Sequence, residues 1–225
     1  MALRAVFFDL DGTLKLCRDP YHHIHNRLGF AAKAEEHARL FRLGEIDSDE
    51  WIRRDVAAWR GVSRQNLLGW LRELPYTPGA AELVRALRSA RVLTAAISTG
   101  LQLHAELVRT DLELSFALAN DVVFDAGIAT GDVIIRVRET DKGSVVRRIM
   151  AAEALCPGDC LAIGDGESDI GMFECCRIGV AFRPATERVR EAADLTIDEP
   201  SLAGVLPAVC ALVPDWREQF VHGAV

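Results

Sequence analysis

The feature of this sequence that most constrains its fold is a short apolar run followed by a helical stretch, repeated along most of the chain. Apolar runs of about four to eight residues are typical of fully buried strands, and their alternation with helices is typical of a parallel sheet covered on both faces. We therefore predict an α/β fold built on a doubly wound, Rossmann-like parallel sheet. The predicted strands are residues 3–10, 92–97, 160–163, 178–182 and, more weakly, 195–197, and the predicted helices are residues 80–89, 101–112, 142–154, 169–176 and 186–193.

A long interruption separates the first predicted strand from the first predicted helix. Between about residues 16 and 76 there is no convincing strand, but several amphipathic segments predict a helical insert. We expect Trp51, Trp59 and Trp70, which fall inside it, to form a small core for the insert. We predict a helical cap at residues 15–77, inserted into an α/β core made of residues 1–14 and 78–212.

Two further segments depart from the alternation. Residues 122–138 alternate between apolar and polar side chains around Asp125-Ala126-Gly127, a pattern typical of a β-hairpin, so we predict a hairpin flap there. From Cys210 onward the helical periodicity is poor. We predict that residues 213–225 form a short C-terminal appendage.

The amino-acid composition limits the kinds of molecule that this protein is expected to bind. Among the 225 residues, 33 acidic side chains outnumber 26 basic ones, and the net charge of −7 with no basic stripe predicts no binding to nucleic acid. The first apolar run ends at Asp9, too early for a signal peptide or a membrane span, so we predict no membrane association and a cytoplasmic protein. The six cysteines lack the spacing of a disulfide framework, and we expect reduced thiols.

Two clusters of carboxylates each follow a predicted strand. Asp9 and Asp11 follow the first strand, and Asp165 and Asp169 follow the strand at residues 160–163. The carboxyl ends of parallel strands meet at one edge, where open α/β sheets bind their ligands. A β-turn would explain one Asp-Gly pair, but two clusters at strand ends predict a shared site. Carboxylate oxygens are the hard ligands that Mg²⁺ prefers.

A hydroxyl pair and a lysine complete a candidate phosphate site. Ser98 and Thr99 follow the strand at residues 92–97, and Lys142 begins a predicted helix. A hydroxyl, the backbone N–H groups of a helix start, a lysine and a metal ion can together bind a phosphoryl group. Each feature alone also fits a simpler role, as a helix cap or a surface lysine. Their order along the chain favours the phosphate site.

These motifs resemble, in the same order, those of the haloacid dehalogenase (HAD) superfamily of phosphohydrolases. The resemblance extends to about residue 206 and is greatest to the phosphoserine-phosphatase-like branch, which has a helical cap and a hairpin flap. It implies a HAD-like core and Mg²⁺-dependent hydrolysis of a small-molecule phosphate monoester, and we expect a monomer or a homodimer. The matching motifs are Asp9-Leu10-Asp11-Gly12-Thr13, Ser98, Lys142 and Gly164-Asp165-Gly166-Glu167-Ser168-Asp169.

The resemblance also implies a role for each matching residue. Asp9 would be the nucleophile that forms an aspartyl-phosphate, and Asp11 would be the general acid and then the general base. Mg²⁺ would be bound by Asp9, by the backbone carbonyl of Asp11 and by Asp165. The phosphoryl group would be bound by Ser98, Thr99 and Lys142, with Asp169, Gly12 and Ser168 in supporting positions.

The positions at which this sequence differs from the phosphoserine-phosphatase-like branch affect the expected substrate more than the expected reaction. Gly12 and Ser168 stand where phosphoserine phosphatases usually have Ser and Asn. The cap acid and cap arginine that recognise serine fall here at Arg18 and Asp55, so the charges are reversed at the residues expected to set specificity.

Several alternatives remain open on the same scaffold. A phosphoserine phosphatase proper is one, and a phosphotransferase or phosphomutase, which returns the phosphoryl group to a second acceptor, is another. A dehalogenase needs no acid for its leaving group, so Asp11 and the acidic cluster disfavour it. A non-catalytic binding protein would be expected to lack Asp9 or Lys142, and both are present.

The reversed charges predict that L-phosphoserine is not the preferred substrate. Placing a substrate carboxylate opposite Asp55 instead of a guanidinium replaces a buried ion pair by repulsion, which costs about 3–5 kcal/mol. The expected loss in kcat/KM is about a hundredfold or more, relative to a monoester with a neutral or hydroxyl-rich body such as a sugar or polyol phosphate. Parallel measurements of kcat/KM for L-phosphoserine, phosphothreonine, sugar phosphates and nucleoside monophosphates test this. A tenfold or greater preference for phosphoserine contradicts it.

Overall fold

The computed structural model describes residues 2–221 and contains a single open sheet within that range. The sheet has seven strands in the order β4-β3-β2-β1-β5-β6-β7, with every neighbouring pair parallel except the β3–β4 hairpin. This is the predicted doubly wound parallel sheet. The strands are β1 (Ala5–Phe8), β2 (Leu93–Leu101), β3 (Phe116–Asp125), β4 (Ile128–Ile134), β5 (Cys160–Gly164), β6 (Ile178–Phe182) and β7 (Leu195–Ile197).

The helices fall into two groups. The first four follow β1 without an intervening strand, as predicted for a helical insert, and the others cover the sheet or follow its last strand. None of the helices formed by residues 2–221 is long and apolar enough to cross a lipid bilayer. The helices are α1 (Pro20–Leu28), α2 (Ala31–Arg42), α3 (Ser48–Ala57), α4 (Arg64–Arg72), α5 (Ala80–Ser89), α6 (Gln102–Leu112), α7 (Lys142–Ala152), α8 (Ile170–Phe173), α9 (Glu187–Glu191), α10 (Val205–Leu212) and α11 (Pro214–Val221).

The central strand β1 divides the core into two layers. Val6 and Phe8 pack into one apolar cluster together with residues of α5 and α10, whereas Ala5 and Phe7 pack into a second cluster with residues of α7 and α8. Because successive side chains of a strand point to opposite faces, burying both faces requires an unbroken apolar run. The run therefore marks β1 as a central strand.

The hairpin is longer than its sequence pattern indicates. Its turn falls at Ala126 and Gly127, both with positive φ, inside the predicted flap. β3, however, begins at Phe116, and its first half pairs in parallel with β2 before the second half turns into the hairpin. This strand was not predicted as part of the main sheet, although it begins with the apolar run Phe116-Ala117-Leu118-Ala119. Asn120 and Asp121 interrupt that run before the alternating segment assigned to the hairpin.

The chain after Cys210 is more regular than expected. α10 extends to Leu212, and α11 follows where poor periodicity predicted no helix. Trp216 of α11 is fully buried in the cluster shared with β1, and Phe220 packs against the same cluster. The Gln219 side chain accepts a hydrogen bond from Leu3 N–H at 2.7 Å and donates one to Leu3 O at 3.1 Å, so α11 is held by both apolar and polar contacts. The last part of the predicted appendage, residues 222–225, lies outside the described residues.

The cap shares its apolar core with the hairpin and with the end of β2 and the start of α6. Trp59 is fully buried in this core and Trp70 packs against it, whereas Trp51 lines the cavity described below. Leu101, Leu103, Val122 and Ala129 belong to the same cluster, so the predicted separate core of the insert extends beyond the insert. The chain enters and leaves the cap side by side, with Leu16 N–H donating to Pro75 O at 3.1 Å and Thr77 N–H donating to Leu14 O at 2.9 Å.

A close contact between two helices generates a stability prediction. A Cβ atom added at Gly143 in α7 would lie 2.4 Å from the carbonyl oxygen of Gly171 in α8. In an exposed helix Gly→Ala stabilises by about 0.5–1 kcal/mol, but here we expect Gly143→Ala to lower the free energy of unfolding by about 1–3 kcal/mol through overpacking. Urea unfolding measures the change. Arg148→Ala, at an exposed position of the same helix, should stay within about 0.5 kcal/mol of wild type, and a stabilised Gly143→Ala variant would contradict the packing argument.

Candidate active site

The carboxyl ends of β1, β2 and β5 meet below a cavity of about 300 Å³, whose opposite wall is formed by α1 and α3 of the cap. A cavity of this size, closed by a separate lid, suits a small molecule rather than a folded protein. Ten of the predicted site residues line it, namely Asp9, Asp11, Arg18, Asp55, Ser98, Thr99, Lys142, Asp165, Ser168 and Asp169.

Lys142 holds two of the carboxylates. Its Nζ lies 2.5 Å from Asp9 Oδ1 and 2.6 Å from Asp169 Oδ1, and all three side chains are buried. Burial disfavours the ammonium ion, but attraction to Asp169 and Asp9 outweighs it and raises the pKa of Lys142. The lysine is therefore a fixed positive charge at the start of α7.

Asp169 has both carboxylate oxygens engaged. Its Oδ2 accepts hydrogen bonds from the backbone N–H groups of Asp165 and Gly166, each at 2.9 Å, while Oδ1 faces Lys142. A Cβ atom at Gly164 would lie 2.4 Å from Asp169 Oδ2, so glycine is required for this closure. Asp169 orders the loop after β5 and orients the lysine.

The surroundings of Asp9 and Asp165 disfavour the ionised form of each carboxylate. Burial raises the pKa of Asp9 well above its usual value against the attraction of Lys142, and burial together with Asp169 raises the pKa of Asp165 to about 6. One oxygen from each of Asp9, Asp165 and Asp169 lies within 4.8 Å of the others. Three hard oxygen donors this close together fit a divalent cation that would offset their mutual repulsion.

Asp11 has a neighbour on each side. Ser98 Oγ donates to Asp11 Oδ2 at 3.1 Å and itself accepts from Gly100 N–H at 2.8 Å. On the other side, Nδ1 of the fully buried His104 lies 3.0 Å from Asp11 Oδ1, but neither atom forms a hydrogen bond among the described residues. His104 was not among the predicted site residues, although a histidine within the apolar helix predicted at residues 101–112 was an available signal.

Gly12 lies beneath the acidic cluster. Its φ of +99° is in the left-handed region, and an added Cβ would lie 2.4 Å from Asp165 Oδ2. Thr13 Oγ1 lies 3.4 Å from the other oxygen of Asp165. Glycine at this position thus brings the loop after β1 against the loop after β5.

The two predicted specificity residues lie on the cavity wall with different partners. Arg18 Nε lies 2.9 Å from Asp165 Oδ2, so this half-exposed guanidinium faces the acidic cluster. Asp55 is buried, with its Oδ1 2.7 Å from His37 Nδ1 and 3.4 Å from His25 Nε2. Arg18 therefore contributes to the charge around the carboxylates, and Asp55 to the charge of the cap.

Two aromatic residues of the cap also line the cavity. The Tyr21 hydroxyl and the Trp51 indole N–H are buried, and neither has a hydrogen-bond partner among the described residues. Burial, with the nearby charges of Asp11 and Asp55, raises the pKa of Tyr21. Nothing in the sequence distinguishes these two aromatic residues from those of the cap core, and the sequence analysis did not identify Tyr21.

Comparison with known proteins agrees with this geometry. A family model described as haloacid dehalogenase-like hydrolase matches residues 6–174. The chain is 26% identical to a phosphoserine phosphatase of Methanocaldococcus jannaschii over 90% of its own length and 96% of the relative's. It is 28% identical to a phosphoserine phosphatase of Archaeoglobus fulgidus over 96% of its own length, but spans 62% of that relative.

The fold is likewise similar to that of solved structures. One of them, described as a phospho-aspartyl intermediate analogue of phosphoserine phosphatase, superimposes with a TM-score of 0.81 at 24% identity. The superposition covers 92% of this chain and 99% of the other, so the cap and the core are both included.

Proposed function

The chain belongs to the haloacid dehalogenase-like hydrolase family, and we propose that it is a Mg²⁺-dependent phosphatase that hydrolyses a small-molecule phosphate monoester. The observation that carries this proposal is the different environment of two carboxylates at the end of one strand. Asp9 lies against Lys142, whereas Asp11 lies between Ser98 and His104. Separate environments suit separate tasks, one carboxylate for attack and one for proton transfer.

The first half-reaction assigns these tasks. An oxygen of Asp9 attacks phosphorus, the bond between phosphorus and the ester oxygen breaks, and Asp11 donates its proton to the departing alkoxide. Ser98 and Lys142 are placed to hold the oxygens of the transferring group. Lys142 offsets the charge of the attacking carboxylate and of the phosphoryl oxygens together.

The second half-reaction uses the same groups in reverse. Asp11, now ionised, accepts a proton from water, and the water oxygen attacks the phosphorus of the aspartyl-phosphate. The acyl phosphate bond breaks, releasing inorganic phosphate and restoring the carboxylate of Asp9. The hydrogen bond from Ser98 holds Asp11 in place for both steps, and His104 lies beside its other oxygen.

The acidic cluster would hold the metal ion. We assign its binding to Asp9, Asp165 and the backbone carbonyl of Asp11, with Asp169 supporting them through Lys142 and the loop after β5. When bound, Mg²⁺ supplies positive charge between the phosphate and the carboxylates that would otherwise repel it. The names of the relatives support phosphate-ester hydrolysis, and the small capped cavity supports a small substrate.

Replacing the nucleophile tests the mechanism. We expect Asp9→Asn to abolish release of inorganic phosphate from 4-nitrophenyl phosphate, because the amide does not attack phosphorus. The fold should persist, since Asp169 remains to pair with Lys142, and circular dichroism with thermal unfolding checks this. Asp125→Asn, at an exposed position of the hairpin, is the control and should retain activity. Turnover by Asp9→Asn would refute the mechanism, and a need for an added acceptor would indicate a phosphotransferase.

Removing the metal provides a second test. EDTA should abolish phosphatase activity, and added Mg²⁺ should restore it. Ca²⁺ should restore little activity, because its larger and looser coordination shell would displace the nucleophile and the phosphate. Independently of activity, Mg²⁺ should raise the Tm of the EDTA-treated protein, since it binds only the folded state. Asp165→Asn should lose that increase. Full activity in metal-free buffer would rule out the assignment.

A further inference from the structure

The cavity wall opposite the catalytic carboxylates has a chemical character of its own. We call Tyr21, Trp51 and Asp55 the cap wall, since all three line the cavity from α1 and α3. With phosphate at the acidic cluster, the organic part of a small substrate has to face this wall. The cap wall therefore selects the alcohol that is released.

The cap wall contains a buried carboxylate. Asp55 is only 3% exposed, yet it lines the cavity. Its Oδ1 lies 2.7 Å from His37 Nδ1 and 3.4 Å from His25 Nε2, and Oδ2 forms no hydrogen bond or ion pair among the described residues. A buried carboxylate that lines a ligand site favours a cationic ligand group and disfavours an anionic one.

The basic side chains that line the cavity contact the acidic cluster and not the cap wall. Among the described residues that line it, the lysine and arginine side chains are Lys142 and Arg18. Lys142 lies against Asp9 and Asp169, and Arg18 lies against Asp165. Neither neutralises the cap wall. The guanidinium of Arg18, at a position that would otherwise suit an acidic substrate, is turned to the metal cluster instead.

Unsatisfied polar atoms point to a ligand at the cap wall. The Tyr21 hydroxyl and the Trp51 N–H are buried without partners among the described residues, and an unpaired buried polar group costs about 1–3 kcal/mol. The Tyr21 oxygen can accept a hydrogen bond from an ammonium group, and the Trp51 N–H can donate to an oxygen of the ester. The aromatic ring of Tyr21 also offers a face that attracts cations.

We propose that the cap wall binds a protonated amine, so that the substrate is the phosphate monoester of a small amino alcohol without a carboxylate. This inference rests on the proposed phosphatase function and specifies its substrate class. It replaces the neutral or hydroxyl-rich body expected from the sequence alone, because Arg18 contacts Asp165 rather than Asp55, and the two histidines beside Asp55 contact only its Oδ1.

Three phosphate esters that differ by one group each provide the test. 2-Aminoethyl phosphate carries the amine, 2-hydroxyethyl phosphate replaces it by a hydroxyl, and L-phosphoserine adds a carboxylate. We expect kcat/KM for 2-aminoethyl phosphate to exceed each of the others by at least tenfold. Equal or faster hydrolysis of 2-hydroxyethyl phosphate would overturn the inference in favour of a neutral substrate, and preference for L-phosphoserine would overturn it in favour of an amino acid.

Substitutions of Asp55 and Tyr21 test whether the cap wall sets the preference for the aminoethyl ester. Asp55→Asn should lower the ratio of kcat/KM between the aminoethyl and hydroxyethyl esters at least tenfold, whereas Asp125→Asn should preserve the ratio. Tyr21→Phe keeps the ring and removes the acceptor oxygen, and it should lower the same ratio, which keeps the inference testable if Asp55→Asn does not fold. An unchanged ratio in a folded variant of either residue would overturn the assignment.

A generic substrate separates the two levels of the proposal. If the wild-type protein hydrolyses 4-nitrophenyl phosphate, if this activity requires Asp9, and if the aminoethyl ester is not preferred, the amine site is overturned but the phosphatase function is supported. Absence of hydrolysis for every ester in the presence of Mg²⁺ would overturn both.

Discussion

The structure of the site depends on one buried interaction, the contact of Lys142 with Asp9 and Asp169. An ionised group in an apolar interior is costly, and two carboxylates side by side are more so. The lysine lies within 2.6 Å of both, which allows them to stay buried at the edge of the sheet. Removing the lysine would leave two buried carboxylates without a cation, so the positions of β1, α7 and the loop after β5 are mutually constrained.

Small residues make this convergence sterically possible. Gly12 and Gly164 each lie where a Cβ atom would meet a carboxylate oxygen at 2.4 Å, and Gly100 lies where it would meet Asp11 Oδ2 at 2.5 Å. Gly12 lies in the loop after β1, whereas Gly100 and Gly164 lie in the carboxyl-terminal ends of β2 and β5. Each glycine removes the one atom that would separate its loop from the neighbouring loop, and the carboxylates approach one another as a consequence. The acidic cluster is thus a property of backbone packing as much as of the acidic side chains.

Sequence patterns predicted the sheet because the central strands are buried on both faces. β6 matches the predicted residues as an uninterrupted apolar run, and α5 matches as a full helical period. The edge strand β7 also matches, although its short Leu-Thr-Ile sequence made it the weaker prediction.

Two elements were missed. The first half of β3 was missed because Asn120 and Asp121 interrupt its apolar run before the hairpin pattern begins. α11 was missed because its position depends on tertiary contacts of Trp216, Gln219 and Phe220 rather than on a repeated apolar stripe.

Site residues that lie at the ends of strands were predictable from the sequence. Site residues that are brought together only by tertiary packing were not. Asp9, Asp165 and Lys142 follow or begin regular elements, so their meeting at one edge follows from the topology. His104 and Tyr21 lie inside helices, where a polar residue on a buried face resembles any other core position until its neighbour is known. The orientation of Arg18 toward Asp165 is also a tertiary fact.

That orientation links the catalytic edge to the cap. Arg18 lies in the segment through which the chain enters the cap, immediately before the N-terminal end of α1, and its guanidinium reaches the loop after β5. Charge on Asp165 therefore holds the entry of the cap close to the sheet, while Asp55 remains on the far wall with its two histidines. Arg18 thereby lies on the phosphate side of the cavity, and Asp55 lies on the wall that, under the proposed function, faces the organic part of the substrate. Both basic side chains of the described lining, Lys142 and Arg18, contact the acidic cluster, whereas the cap wall has a carboxylate and no lysine or arginine. This separation suits a phosphate ester whose organic part is cationic.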